Sequence, residues 1–395
     1  MNNPCDAVRL FVAVTWSAVA LAFLQPGSAN ATVSLDQPDE ASFANFEVSL
    51  QGDLDIAASI GTSAAPRDVP VVDLRLRMAG EQVLDDGKRW GVRLGLAANS
   101  GDGRRGFSQN LSTGPVQANA SLSGLATGFV SAPGLDAGSG RVGVTEADFY
   151  LTGRWAEWRA GSGKTAAATL NARPASALRL VRADRAMADL VGGGLSHTGL
   201  SLSAPSGRAF VQTRRIIGLS AAASYTPDAA RCGIDQCRPG DTATVLSPDI
   251  SHLVSLAVDF DRRRRETGAR WQAHIGFEAG QVESALVSFE DPWIASASLA
   301  REANDVTLGA SVLQTNDGLE SGEYTAWAGF ATYERGDWFY SVELAHGRSS
   351  SFDADGGSLA LGASRWISDM ALLSFGFVTH ERGGSAGVIE TGLRF

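Results

Sequence analysis

Basic tracts, cysteines and long apolar runs are all scarce in this chain of 395 residues. Lys and Arg number 33 against 43 Asp and Glu, a net charge of −10, and the one dense basic run is Arg262 to Arg265 in a turn-like stretch. Without a basic stripe the chain lacks the electrostatic footprint of a nucleic-acid binder. The five histidines, His197, His252, His274, His346 and His380, are scattered, and no serine sits in a G-x-S-x-G elbow. Cysteine occurs three times, at Cys5, Cys232 and Cys237. No further Cys or His lies near the last two, so a disulfide between them is favoured over a metal site. After Leu24 no apolar run approaches the ~18 residues of a spanning helix. That excludes a helical membrane domain but not a strand-built one, because a closed barrel pairs every backbone N–H and C=O within itself.

The N-terminus carries a single cation, Arg9, then an apolar run from Leu10 to Leu24 broken by Pro26 and Gly27. Ala29-Asn30-Ala31 places small residues where a signal peptidase cuts, so residues 1–31 read as a secretory leader and 32–395 as the exported domain. Export to an oxidising compartment agrees with a disulfide in the Pro/Gly/Asp-rich stretch 227–249. One nucleotide-like motif remains, Gly161-Ser162-Gly163-Lys164-Thr165. A phosphate-binding loop needs glycine five residues before its second glycine, and that position is Trp158.

What is abundant is alternation. Phe46, Val48, Leu50, Leu54, Ile56 and Ile60 fall on one side of an extended chain, with Glu47, Ser49, Gln51, Asp53 and Asp55 on the other. Val72, Leu74, Leu76 and Met78 oppose Asp73, Arg75 and Arg77; Trp90, Val92, Leu94 and Leu96 oppose Arg93. The pattern continues near 145–153, 155–162, 207–217, 219–226, 250–261, 269–279, 292–302, 305–315, 323–334, 338–349, 358–367, 370–381 and 386–395, which makes sixteen strands. Tight turns alternate with long polar loops near 100–144, 163–206 and 227–249. The fold expected is all-β, a transmembrane antiparallel barrel of sixteen strands, apolar outside and polar within. Aromatics recur at strand ends, including Trp90, Trp155, Trp158, Trp271, Trp293, Trp338, Tyr340 and Phe395, as interface girdles would require.

In this setting the chain resembles the general porins of Gram-negative bacteria, most closely the alphaproteobacterial type. FEVSLQGDLDIAASI is similar to the family's opening strand, and ADFYLTGRWAEWRAGSG to the hairpin before its constriction loop. LSAAASYTPD is similar to the strand after that loop, and GLRF to its closing strand. The resemblance covers essentially the whole exported domain, carried by order and spacing. The stretch 100–144 is long for the family, and its role stays open. The resemblance implies an outer-membrane, water-filled channel for passive diffusion of small hydrophilic solutes and ions. It also implies membrane lipid around the barrel, a homotrimer, and recognition of the terminal Phe395 strand by the assembly machinery. No enzymatic activity and no cofactor are implied.

On this reading 163–206 is the inward-folded loop that narrows the pore. It carries Lys164, Arg173, Arg179, Arg182 and Arg185 against Asp184 and Asp189, a net +3 in an acidic chain. The segment ASALRLVRADRAMADLV fits a short helix with Arg179, Arg182 and Arg185 along one side. Alternation turns Arg75, Arg77 and Arg93 inward, near Asp53, Asp55 and Asp73. Charges of both signs at a constriction set up a field that biases ions, here mildly toward anions; the same arginines also serve to brace the loop against wall carboxylates. Asp353 and Asp355 are a weak Ca²⁺ candidate, short of ligands on their own. The rival functions are a substrate-specific outer-membrane channel and a barrel hydrolase; Ser251 and His252, adjacent and therefore on opposite faces, argue against the latter.

Overall fold

The computed structural model describes residues 46–62, 70–100, 104–105, 121–130, 141–171, 175–235, 238, 245–264, 268–282 and 288–395. The expected leader therefore lies outside the described residues. Sixteen strands form one closed barrel. They are β1 (Phe46–Thr62), β2 (Val71–Val83), β3 (Arg89–Asn99), β4 (Arg141–Thr152), β5 (Ala156–Gly163), β6 (Ser206–Thr213), β7 (Leu219–Ala229) and β8 (Ile250–Arg263). The ring continues with β9 (Arg270–Val282), β10 (Trp293–Ala303), β11 (Val306–Thr315), β12 (Tyr324–Arg335), β13 (Trp338–Ser349), β14 (Ala354–Trp366), β15 (Ala371–His380) and β16 (Ser385–Arg394). Each strand pairs antiparallel with the next, and β16 closes on β1 from Thr62↔Ser385 to Asp53↔Arg394.

Period-two sequence becomes two faces. Val92, Leu256, Val258, Ile275, Phe277, Leu308, Val312, Val342 and Leu344 stand exposed on the outer wall. On the inner wall the same registers hold Ser220, Ser224, Ser255, Ser296, Ser311, Ser341, Ser358 and Ser374, all buried. An exposed apolar belt over a polar interior is stable only if lipid covers the outside. The belt ends in aromatics. At one rim Trp90 packs between Phe46 and Phe149 at 6.0 Å from each, and Tyr340 stacks on Trp338 at 6.0 Å. Toward the other rim lie Tyr225, Trp293 and Trp327.

The two-residue turns among the described residues lie at the first of these rims. Asn304 and Asp305 join β10 to β11, both at positive φ (49° and 65°), the backbone of a two-residue hairpin whose twist matches its strands. The last strand ends at the same rim. Phe395 N–H donates to the Gly52 carbonyl (3.0 Å) and Gly52 N–H to the Phe395 carbonyl (2.7 Å). The Phe395 ring lies across Gly52, where any Cβ would overlap it. Gly52→Val should therefore block seam closure; the check is loss of the compact, heat-modifiable band on a gel, and a variant with wild-type migration would refute it.

Two expectations need correction. The strand expected over 207–217 stops at Thr213, and 214–218 turns the chain, with an Ile216–Leu219 bridge. The helix expected over 175–191 does not form; the one helix among the described residues is α1 (Ala166–Leu170), capped by Thr165 Oγ1 accepting from Ala168 N–H at 3.2 Å. The physical reason is on the barrel wall. Glu390 of β16 accepts the backbone N–H groups of Arg179, Leu180 and Val181, and Arg185 sits at φ 56°. A carboxylate taking three consecutive N–H groups outcompetes the helical ladder.

Inside the barrel the β5–β6 connection packs as a core of its own. Leu178, Leu180, Val181, Met187, Leu190 and Val191 bury against inward-facing Ala57, Val71, Ala328, Ala345, Ala360, Val378, Ala386 and Val388. Each fully buried Leu or Val contributes about 1.5–3 kcal/mol. Alanine on the wall leaves the room that the loop fills.

The β3–β4 connection also turns inward. Residues 123–130 are buried throughout. Asp317, between β11 and β12, accepts Ala126 N–H (2.8 Å), Thr127 N–H (2.9 Å) and the Thr127 hydroxyl (2.6 Å). Burial pushes the Asp317 carboxyl up to about 6, against the pull of these donors and of Arg238. Phe129 meets Tyr324 and Phe352 edge-on at 5.8 and 5.9 Å.

Candidate functional site

Against the β2–β6 wall the loops leave a chamber of about 490 Å³. Alternation turns Arg75 and Arg77 of β2, Arg93 of β3, Arg159 of β5 and Arg208 of β6 toward it, and the β5–β6 loop adds Lys164 and Arg185. Among the described lining residues these seven cations face three carboxylates, Glu146, Asp148 and Asp235. The acids hold the cations in place. Arg75 bridges Asp73 (2.8 Å) and Asp235 (2.5 Å). Arg93 contacts Asp148 (2.9 Å), Glu146 (3.3 Å) and Glu157 (3.3 Å), and Arg77 reaches Glu146 at 3.2 Å. Arg208 is 7% exposed, bonded to Ser203, Ala204 and Ser206, and its Nη1 has no partner among the described residues.

A second, smaller chamber of about 290 Å³ lies toward the short-turn rim on the β8–β12 wall. Its charged lining is of the opposite balance: Asp259, Asp261, Glu302 and Glu334 against Arg185 and Arg270. Arg185 borders both spaces. It is almost fully buried, donating to Thr198 Oγ1 (3.1 Å), the Thr198 carbonyl (3.2 Å) and Asn171 Oδ1 (3.1 Å). A basic space and an acidic space thus adjoin, inside a low-dielectric wall where such fields act at full strength.

The residues expected at the constriction divide into three groups. The chamber brings together Arg75, Arg77, Arg93, Lys164 and Arg185, with Asp73 behind Arg75. Arg179, Asp53 and Asp55 meet elsewhere, at the β16–β1 seam, where Arg179 reaches Asp55 at 2.9 Å and Asp53 at 3.3 Å. The rest are buried in the loop. Arg182 is 4% exposed and bonded through Nε and Nη2 to Glu343 of β13 at 2.8–3.3 Å, so it braces rather than lines. Asp184 accepts from Thr198 N–H (2.8 Å) and Oγ1 (2.6 Å); burial opposes its charge, but Arg185, His197 and these bonds hold its carboxyl below the usual range. Asp189 caps the turn at Val191, Gly192 and Gly194. Arg173 lies outside the described residues.

Sequence reasoning missed Arg159, Arg208, Glu146, Asp148 and Asp235 in the chamber. It also missed the wall glutamates Glu278, Glu343 and Glu390 that seat the loop. Glu278 accepts from Thr165, Ser201 and Leu202, so it fixes both ends of the β5–β6 loop. Strand parity alone places Arg159, Arg208 and these glutamates inward and would have found them.

Outside the lumen the other candidates resolve simply. Asp355 faces outward and meets His346 Nε2 at 2.7 Å, while Asp353 sits in the preceding turn at φ 45°. Among the described residues no group of three or more His, Cys, Asp or Glu side chains is arranged to hold a metal ion. His252 bonds Tyr225 Oη on the outer face (2.7 Å). Cys232 is described at the β7–β8 loop, and Cys237 lies outside the described residues, so the pairing remains an expectation.

A family model described as Gram-negative porin matches residues 15–384. Among solved structures, Salmonella typhi OmpF in complex with daunomycin aligns with a TM-score of 0.57 at 9% identity, covering 88% of this chain and 98% of that one. A porin refined at 1.8 Å aligns at 0.52 with 11% identity, and a triple mutant of Rhodopseudomonas blastica porin at 0.51 with 13% identity. Both alignments cover 88% of this chain and all of theirs; at such identities the likeness is one of fold. No curated protein sequence matches.

Proposed function

Because this chain belongs to the Gram-negative porin family, we propose that its outer-membrane channel favours anions, with the basic chamber on the β2–β6 wall as its constriction. The channel itself passes solutes by diffusion and is not an enzyme. Porins of this family are trimeric outer-membrane channels for small solutes. Homotrimerisation of this chain, a lipid annulus, and recognition of the β16 strand by the assembly machinery are part of the same reading, supported by the exposed apolar belt and the Phe395 seam.

One observation carries the anion preference: seven cations against three carboxylates among the described residues that line the chamber on the β2–β6 wall. An entering anion is attracted there while a cation is held back, and the narrow, partly dry walls limit screening. The acidic chamber beyond it keeps the preference mild. In a planar bilayer under a salt gradient, the zero-current potential should have the sign of anion permeation, with a permeability ratio on the order of two- to fivefold. A potential of the cation sign would overturn the proposal.

A further inference from the structure

In the long β3–β4 connection residues 123–130 are fully packed. The wall they pack on identifies what they do. In a ring of sixteen strands β11 and β12 lie eight places from β3 and β4, so the two pairs are diametrically opposed. Residues 121–130 leave from β3 and are held at β11–β12: Leu125 N–H donates to the Asp317 carbonyl (2.8 Å), and the Asp317 carboxylate takes Ala126 and Thr127. A short parallel ladder ties Ser121 and Leu122 to Val245 and Leu246 of the β7–β8 loop.

At β11–β12 the segment is packed against both loop and wall. Leu125 and Phe129 form one dry cluster with Leu195, Leu200 and Leu202 of the β5–β6 loop and with Ile250, Leu253, Ile294, Leu313 and Tyr324 of the wall. Tyr324 Oη joins the layers, donating to the Leu195 carbonyl (2.8 Å) and accepting His197 N–H (3.0 Å). Apolar side chains thus pack together between the segment, the β5–β6 loop and the wall from β8 to β12 at the loop rim. The basic chamber lies clear of this packing; none of its lining residues belongs to β8–β13.

We infer that residues 121–130 are a second selectivity element, closing the β8–β13 side of the outer mouth and confining entering solutes to the basic chamber. The inference rests on the channel reading but not on anion preference. Because wall and segment meet through Leu, Ile, Phe and Tyr, the closed half admits no hydrated solute. The polar fastening is concentrated at Asp317, and Gly124 lies so close that a Cβ there would overlap the Asp317 carboxylate.

The test compares single-channel conductance and liposome swelling for the wild-type protein and two variants, each first shown to be a heat-modifiable barrel. One variant is Asp317→Ala. The other replaces residues 123–129 with Gly and Ser, removing Leu125 and Phe129. Release of the segment should raise conductance roughly 1.5-fold or more and admit larger sugars. Wild-type conductance and sugar cut-off in the folded replacement would overturn the inference, as would the same result in Asp317→Ala should the replacement not fold. Reversal potentials from the same recordings judge the anion reading separately, so either conclusion can fall without the other.

Discussion

Replacing Arg77 and Lys164 together by glutamate should reverse the anion preference proposed for the channel. These are the most accessible cations of the basic chamber. Arg77 keeps 51% of its side chain exposed and has one ion pair, to Glu146 at 3.2 Å, and Lys164 is exposed at the start of the β5–β6 loop. The exchange leaves five cations facing five carboxylates in the lining, and the acidic chamber beyond it then decides the sign. Each substitution changes the local charge by two. A unit charge about 4 Å from a permeating ion acts with ~1 kcal/mol in bulk water and more beside a protein wall. A shift of the permeability ratio by about tenfold, ~1.4 kcal/mol, is therefore the expected scale. Raising the salt to about 1 M contracts the Debye length to ~3 Å and should shrink the shift. Zero-current potentials at low and high salt measure both effects. An unchanged ratio at low salt would mean that ions do not pass these side chains.

The sequence made the barrel legible because lipid imposes a strict code. Outer positions must be apolar and inner ones need not be, so period two survives along nearly every strand, as in Val342, Leu344 and their inward neighbours Ser341 and Glu343. Arg75, Arg77 and Arg93 followed from the same parity. The loop did not obey any such code. Its described arginines look alike in sequence, yet Arg182 is bound to Glu343 in the dry interior, Arg179 to the seam carboxylates, and of these three Arg185 alone borders the chambers. What sets Arg179 and Arg182 apart from Arg185 is contact with residues 126 to 211 positions away, which no local pattern encodes. The short helix expected there was a local preference overruled by a distant carboxylate. Inward alanines were the overlooked clue: a barrel wall that is alanine at Ala328, Ala345 and Ala360 leaves a hollow for something to fill.

The same carboxylate supports the second large effect. Glu390→Ala should detach the middle of the β5–β6 loop without opening the barrel. In the native protein Glu390 is 2% exposed and its two oxygens take the N–H groups of Arg179, Leu180 and Val181. Removing the carboxylate strands three donors in an apolar core, each costing about 1–3 kcal/mol when buried without a partner. That total rivals the burial of two or three of the loop's leucines. The ties of Thr165 and Leu202 to Glu278 lie to either side and hold the ends while the centre, left with Arg182 on Glu343, loosens. The ladder of β16 with β1 and β15 is backbone-paired and does not need the side chain. Expected, then, are a heat-modifiable barrel, higher and noisier single-channel current, and faster amide exchange over 178–191. Glu390→Gln keeps one accepting oxygen and should fall between the two. A folded Glu390→Ala channel with quiet, wild-type current would show that apolar packing alone fixes the loop. The wall glutamates would then be orienting groups rather than anchors.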